Sequence, residues 1–309
     1  MRWKPGQGRS ENIEDRRGRP GGGGLGGLGG LIPGGGRGGG AIGIVLVLVL
    51  AFAGRSCAGG GGDSASGGFD VGDLTEILDQ FGAGAPAEGE SPLDEATDPE
   101  ADQVEFVSFV LDDVQGFWDT TFDEAGRDYR EAELVLFRQG VSTGGCGSAS
   151  SATGPFYCPA DQKAYIDLSF FRELTDRFGA PGDFAQAYVL AHELGHHVQN
   201  LLGINEEVRR LQQSEPDRAN ELSVRLELQA DCFAGVWAHS AFQRDLLSDG
   251  DIQEGLGAAE SVGDDRLGVD SPESFTHGSA EQRQRWLTRG YESGSADDCD
   301  TFTVDESDL

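Results

Sequence analysis

His192-Glu193-Leu194-Gly195-His196 is the part of the chain whose residue types and spacing speak most directly of chemistry. On a helix, residues four apart share a face, so both imidazoles can bind one metal ion. Glu193 then stands beside the ion, where a carboxylate can take a proton from bound water. Val189, Leu190 and Ala191 precede the motif and Val198 follows it, so it sits on the apolar face that a buried metal site requires. His192, His196 and His197 are three of only five histidines. The bland alternative is a helix with incidental surface histidines, which these flanks disfavour.

A catalytic zinc takes three protein ligands and leaves one position for water. Six residues beyond His196 stands Leu202, so no third histidine follows at that distance. A carboxylate is needed, and Glu227-Leu-Gln-Ala-Asp231 offers two on one helix face. Glu227 is the expected ligand, with Asp231 accepting the second N–H of a ligand imidazole. The reverse, with Asp231 as ligand, stays open. In so acidic a chain both could be solvated, but Leu226, Leu228, Ala230, Phe233, Ala234, Val236 and Trp237 mark a buried helix.

With Gly154–Asp161, Tyr165–Phe171, Ala191–Gln199, Glu227–Trp237 and Phe275–Ser279, the chain resembles the bacterial neutral zinc metallopeptidases. The glycine-rich arm before an apolar segment fits the same family. The resemblance implies a zinc-dependent peptidase tied to a membrane, with one Zn²⁺ per chain and Glu227 as third ligand. Thr276-His277-Gly278, followed by Arg283 and Arg285, resembles a His-to-Arg element of membrane zinc endopeptidases. It makes His277 a candidate donor to the oxyanion of a tetrahedral intermediate. The alternative is a loop histidine capping the last helix. Tyr157, Tyr165 and Tyr291 are rival donors, and His239 reads as a surface or packing residue.

Charge and composition divide the chain. Residues 1–57 hold eight Lys/Arg and three Asp/Glu, leaving 15 basic and 51 acidic residues for the remainder. Such a surface repels phosphate and excludes nucleic acid as a partner. Residues 1–40 read as a disordered, cytoplasmic Gly-rich arm. Residues 41–54 read as a transmembrane segment, single-pass, with the basic arm inside and the catalytic domain extracytoplasmic at the cell membrane. A cleaved signal peptide and a buried strand are the lesser readings. Residues 55–102 form a linker, with a short helix possible over Val71–Phe81, and residues 103–309 form the domain.

Within that domain, spacing predicts helices over Gln103–Asp128, Ser169–Phe178, Asp183–Leu202 and Asp217–Phe242, and one after His277 with Ser279 as N-cap. Strands are expected over Ala132–Phe137 and, as a pair, within Phe156–Leu168. The fold class is α+β, zincin-like, mainly helical with a small sheet. Cys146 with Cys158, and Cys232 with Cys299, are the expected disulfides, leaving Cys57 over. Closing the first loop is worth about 3 kcal/mol. The function expected is peptide-bond hydrolysis with Glu193 as general base, acting on a peptide or protein. An extended substrate is expected to pair with the strand at Tyr165–Leu168. The competing readings are a membrane-tethered scaffold with a vestigial zinc site and a zinc hydrolase of another amide or ester bond.

Overall fold

The structure, a computed structural model, describes residues 1–6, 8–18, 93 and 97–309. The apolar segment 41–54, the possible helix at Val71–Phe81, Cys57 and nearly all of the linker lie outside these residues. The described chain runs β1 (Ile13–Asp15), α1 (Ala101–Glu124), β2 (Glu133–Phe137), β3 (Gly140–Ser142), β4 (Ser148–Ser150), β5 (Phe156–Cys158), β6 (Lys163–Asp167) and α2 (Ser169–Asp176). It continues through α3 (Asp183–Leu201), α4 (Ile204–Ser214), α5 (Ala219–Gln243), α6 (Asp251–Ser261) and α7 (Ala280–Ser293). It is an α+β fold in which helices predominate.

The expected elements form to within a few residues. Val104, Val107, Val110, Leu111, Val114 and Trp118 make the buried stripe of α1. Ser279 caps α7 with a reciprocal bond from Gln282, and Gly294 ends it at φ 65°. The helices α3, α5 and α7 pack on one another, and small residues set how closely. A Cβ on Gly195 would stand 3.0 Å from the Ala230 carbonyl oxygen, and one on Gly290 would stand 2.0 Å from that of Cys232. The second contact is too short for any side chain and the first could be met only if α5 gave way by a few tenths of an ångström, so these glycines let α3 and then α7 press against the backbone of α5. The Cys232–Cys299 disulfide ties the C-terminal tail to α5, and Cys146–Cys158 closes the loop before β5.

The sheet order is β1-β2-β6-β5, with β1, β2 and β6 parallel and β5 antiparallel to β6. Two expectations change here. The strand containing Tyr165–Asp167 lies between β2 and β5, so both its edges are filled and it cannot pair with a peptide. Residues 1–18 are also not a disordered arm. Ile13, Glu14 and Asp15 pair with Leu134, Val135 and Leu136. Trp3 packs on Phe106 and Phe109, and the amino group at Met1 reaches Asp183 at 2.5 Å and Asp251 at 3.1 Å. Glycine-rich sequence beyond residue 20 had suggested disorder for everything before it, whereas the short apolar and charged stretch ahead of it finds its partners only in the folded sheet.

Arg17 fixes the geometry of this return. Its buried guanidinium bridges Asp15 at 2.7 Å, Asp98 at 2.5 Å and Glu100 at 3.0 Å. Arg17 and Asp98, far apart in sequence, therefore meet within one ion cluster. A single membrane crossing between these points would put β1 and β2 on opposite sides of the bilayer, which their pairing forbids. Among the described residues, no helix is long and apolar enough to cross a membrane.

Residues 1–18 and 98–309 are thus expected on one side of any membrane. In a Cys57→Ser background, Lys4→Cys and Glu124→Cys, both at exposed positions, should react alike with an impermeant maleimide in intact cells. Labelling of one from outside and of the other only after lysis would show that a crossing separates them.

Candidate metal centre

Two helices face each other across the site. Helix α3 carries His192 and Glu193, both buried, and His196, half-buried; Phe184, Ala187, Tyr188, Leu190, Ala191 and Leu194 sink the helix into the core. Helix α5 carries Glu227 and Asp231 and is kept close by the Gly195 contact. The His192 Nε2 lies 3.2 Å from Glu227 Oε2, and the His196 Nε2 lies 3.5 Å from Glu227 Oε1. One ligand atom from each of the three residues falls within 4.8 Å of the others. Donors held 2.0–2.2 Å from a tetrahedral zinc stand about 3.4 Å apart, close to what is seen.

The remaining ring nitrogens show what the converging atoms are for. Gln199 donates from Nε2 to the Leu226 carbonyl at 2.7 Å and to Gln229 Oε1 at 3.1 Å. Its oxygen is left to accept from His196 Nδ1 at 2.8 Å. Asp231 Oδ1 accepts from His192 Nδ1 at 2.8 Å. With both Nδ1 protons so committed, each imidazole, when neutral, turns an Nε2 lone pair toward the Glu227 carboxylate. Two lone pairs and a carboxylate repel unless a proton or a metal cation stands between them, and without metal His192 carries that proton. The residues present therefore fit a zinc ion, which His192, His196 and Glu227 would hold.

Asp231 has no solvent exposure and takes the orienting role rather than the ligand's. Its Oδ1 also accepts from the Tyr188 hydroxyl at 2.5 Å and from Arg283 at 2.9 Å, and its Oδ2 accepts from Arg283 Nε at 2.8 Å. Burial alone would raise this carboxyl, but the Arg283 and His192 charges bring it down to about 2. Burial likewise opposes a charged His192, yet Asp231 and Glu227 on its two sides push it up to about 10. Glu227 is largely desolvated, which favours its neutral form, and is nonetheless held well below the carboxylate range by His196 and His192. Glu193 is raised, chiefly by burial, with His192 and His196 partly offsetting it. A carboxyl moved upward toward neutral pH suits a group that must take and return a proton.

Two of the three rival donors have their hydroxyls engaged elsewhere. The Tyr157 hydroxyl bonds His197 Nδ1 at 2.9 Å and accepts from Asn200 at 3.2 Å. Tyr165 donates to Asp161 at 2.6 Å. Tyr291 lies beside His239, which donates from Nδ1 to its carbonyl at 2.7 Å. His197 is fully buried, and its Nε2 bonds the Arg130 carbonyl at 2.6 Å, so it pins a loop rather than a metal. His277 lies on the loop before α7. That loop packs on Val224 and Leu228, which flank Glu227, and Glu227 and His277 are within electrostatic reach of each other. Sequence reasoning missed Tyr188 as a partner of Asp231, and it missed the orienting role of Gln199. Their spacing carried a signal: Tyr188 is four residues before His192 and Gln199 three after His196, on the faces of the two ligands.

These features define a helical site whose donor set fits a zinc ion, and comparison with known proteins agrees. The model of the family described as "Putative neutral zinc metallopeptidase" matches residues 1–302, and the chain belongs to that family. Among its relatives is "Uncharacterized protein YpfJ" of Escherichia coli (strain K12), 44% identical over 308 residues, covering 98% of this chain and 99% of the relative. "Uncharacterized protein Rv2575" of Mycobacterium tuberculosis (strain ATCC 25618 / H37Rv) is 50% identical over 192 residues, which is 57% of this chain and 64% of that protein. No solved structure matches.

The proton balance of the cleft can be measured. In metal-free protein His192 titrates near 10 when folded and about 6.5 when unfolded. Its contribution to stability is fully present below the lower value and is lost as pH rises through the upper one. Asp231 acts in the opposite sense: its contribution is present above about 3.9, the unfolded value, and is lost as pH falls through about 2. Urea unfolding of zinc-stripped protein should therefore show stability declining from pH 6.5 toward 10. Zinc must displace the His192 proton, so its affinity should climb over the same interval. An affinity that is flat between these limits would mean that no proton leaves when zinc binds.

Proposed function

We propose that the protein is a zinc-dependent peptidase with a zincin-like catalytic domain, taking one Zn²⁺ per chain at His192, His196 and Glu227. The observation that carries this reading is the pair of imidazoles with both Nδ1 atoms held by Asp231 and Gln199, aimed at the Glu227 carboxylate. Zinc, when bound, acidifies a water molecule and polarises a carbonyl group. Glu193, buried one residue from His192 with a raised pKa, takes the water's proton and returns it to the leaving amine. A purely structural metal site has no use for such a base. His277 donates to the oxyanion that develops on the scissile carbonyl. Peptides and proteins are the substrates, and the acidic surface turns nucleic acid away.

The two disulfides support an oxidising, extracytoplasmic location. Attachment to the cell membrane falls to residues 41–54, with residues 1–18 on the same side as the catalytic domain.

Substitutions separate ligand from base. In full-length protein, Glu193→Gln should keep zinc near one equivalent and lower peptide cleavage by at least about 100-fold, because glutamine cannot take the proton. Glu227→Ala should lose both zinc and cleavage. Asp231→Ala should weaken zinc binding by roughly 10–100-fold. Zinc content by atomic absorption and cleavage of a peptide library give the readouts. Undiminished cleavage by Glu193→Gln would refute this mechanism, whatever the metal content.

A further inference from the structure

Asp264 has no evident place in the mechanism above, yet it is fully buried and makes more hydrogen bonds than folding a short turn requires. Its Oδ2 accepts three successive backbone N–H groups: Thr276 at 2.6 Å, His277 at 2.7 Å and Gly278 at 3.2 Å. Its own N–H donates to the Gly278 carbonyl at 2.9 Å. Its Oδ1 lies 3.3 Å from His277 Nδ1, which is also 3.0 Å from the Thr276 hydroxyl. Gly278, at φ 91°, makes the turn, and a Cβ there would stand 3.2 Å from Leu228 and 3.3 Å from Val224. The carboxylate thus fixes the loop against the turn of α5 that carries Glu227, and it engages the Nδ1 side of the imidazole at the same time.

We infer that Asp264 is a positioning residue for His277: it holds the loop and the Nδ1–H, so that Nε2 is the ring atom left to meet the substrate carbonyl oxygen. This rests on the peptidase reading above. The charges facing His277 are Asp264 from its own loop side, Glu227 from α5 and Arg283 from α7. Burial works against the imidazolium, and Asp264 and Glu227 overcome it, so His277 is shifted upward. A protonated ring donates from both nitrogens, and one of them is spoken for by Asp264. The orientation also accounts for a loop pinned by three backbone N–H bonds to a single side chain, since a donor to a developing oxyanion must be in place before the charge appears.

The test is a double-mutant cycle in the full-length, zinc-loaded protein, together with ¹⁵N-histidine spectra of the zinc-free protein. His277→Ala should lower kcat by about 100-fold, the usual cost of one oxyanion donor. Asp264→Ala should lower kcat at least 10-fold, with KM within about twofold and zinc content unchanged. Added to His277→Ala, it should cost less than about twofold more, because a residue acting through another has nothing left to orient. Asp264→Asn is the companion variant: its carbonyl can still accept from the loop, but its amide presents a donor to Nδ1, so it should fold and still lose kcat. In the spectra, His277 Nδ1 should carry a proton in the wild type and lose that hydrogen bond in Asp264→Asn. An equal loss of kcat in both backgrounds, or an unprotonated Nδ1 in the wild type, would overturn the inference. A zinc-loaded wild type that cleaves no peptide would instead refute the function, and the spectra would still decide the role of Asp264.

Discussion

The buried carboxylate of Asp231 is the constraint on which the rest of the site depends. A fully buried charge is tolerated only when it is paired and hydrogen-bonded. Asp231 meets that condition through Arg283, Tyr188 and His192 at once. Removing one partner of such a set typically costs about 3–5 kcal/mol, because the remaining charge stays buried. Three helices are committed to the arrangement: α5 supplies the acid, α3 the tyrosine and the histidine, α7 the arginine. Their close approach follows from glycines at the crossings, Gly195 between α3 and α5 and Gly290 between α7 and α5. The network that orients the metal ligand is also the one that holds the helices in register.

The same economy governs the periphery. Gln199 satisfies its amide with Leu226 and Gln229 on α5 and thereby turns its oxygen to His196. His197, next in sequence to a ligand, bonds the Arg130 carbonyl and Tyr157, joining α3 to the segment before β2 and to β5. Each polar group near the ligands thus both satisfies a buried partner and sets the direction of a ring. Such surroundings keep the donor atoms placed for an ion before it arrives, which limits the ordering that binding must impose.

The N-terminal residues extend this logic to the domain boundary. Arg17, with Asp15, Asp98 and Glu100, is a buried ion cluster that joins two stretches some eighty residues apart in sequence. It makes the start of the chain a structural part of the same body as the metal centre, and the family match beginning at residue 1 has the same extent.

By itself the sequence determined what depends on local spacing. Residues four apart share a face on any α-helix, so His192 with His196, and Glu227 with Asp231, could be named as candidate ligands and orienting acid before the fold was known. Apolar periodicity likewise marked α1, α3 and α5, and a Ser279 cap marked α7. The expected cysteine pairs formed as well. Helices α4 and α6 escaped notice because their apolar faces are narrow. β1 escaped because three residues carry no periodicity, and its only support is the edge of β2. What the tertiary structure alone decided is which long-range partner each buried group acquires. It chose Glu227 over Asp231 as the residue facing both Nε2 atoms, took Tyr157 and Tyr165 out of contention, brought Asp264 to His277 across thirteen residues, and folded residues 1–18 onto the domain that carries the candidate metal site. The physical reason is that desolvated charges and hydrogen-bonding groups are satisfied by whatever three-dimensional packing brings near, and helical or strand spacing encodes only neighbours on the same element.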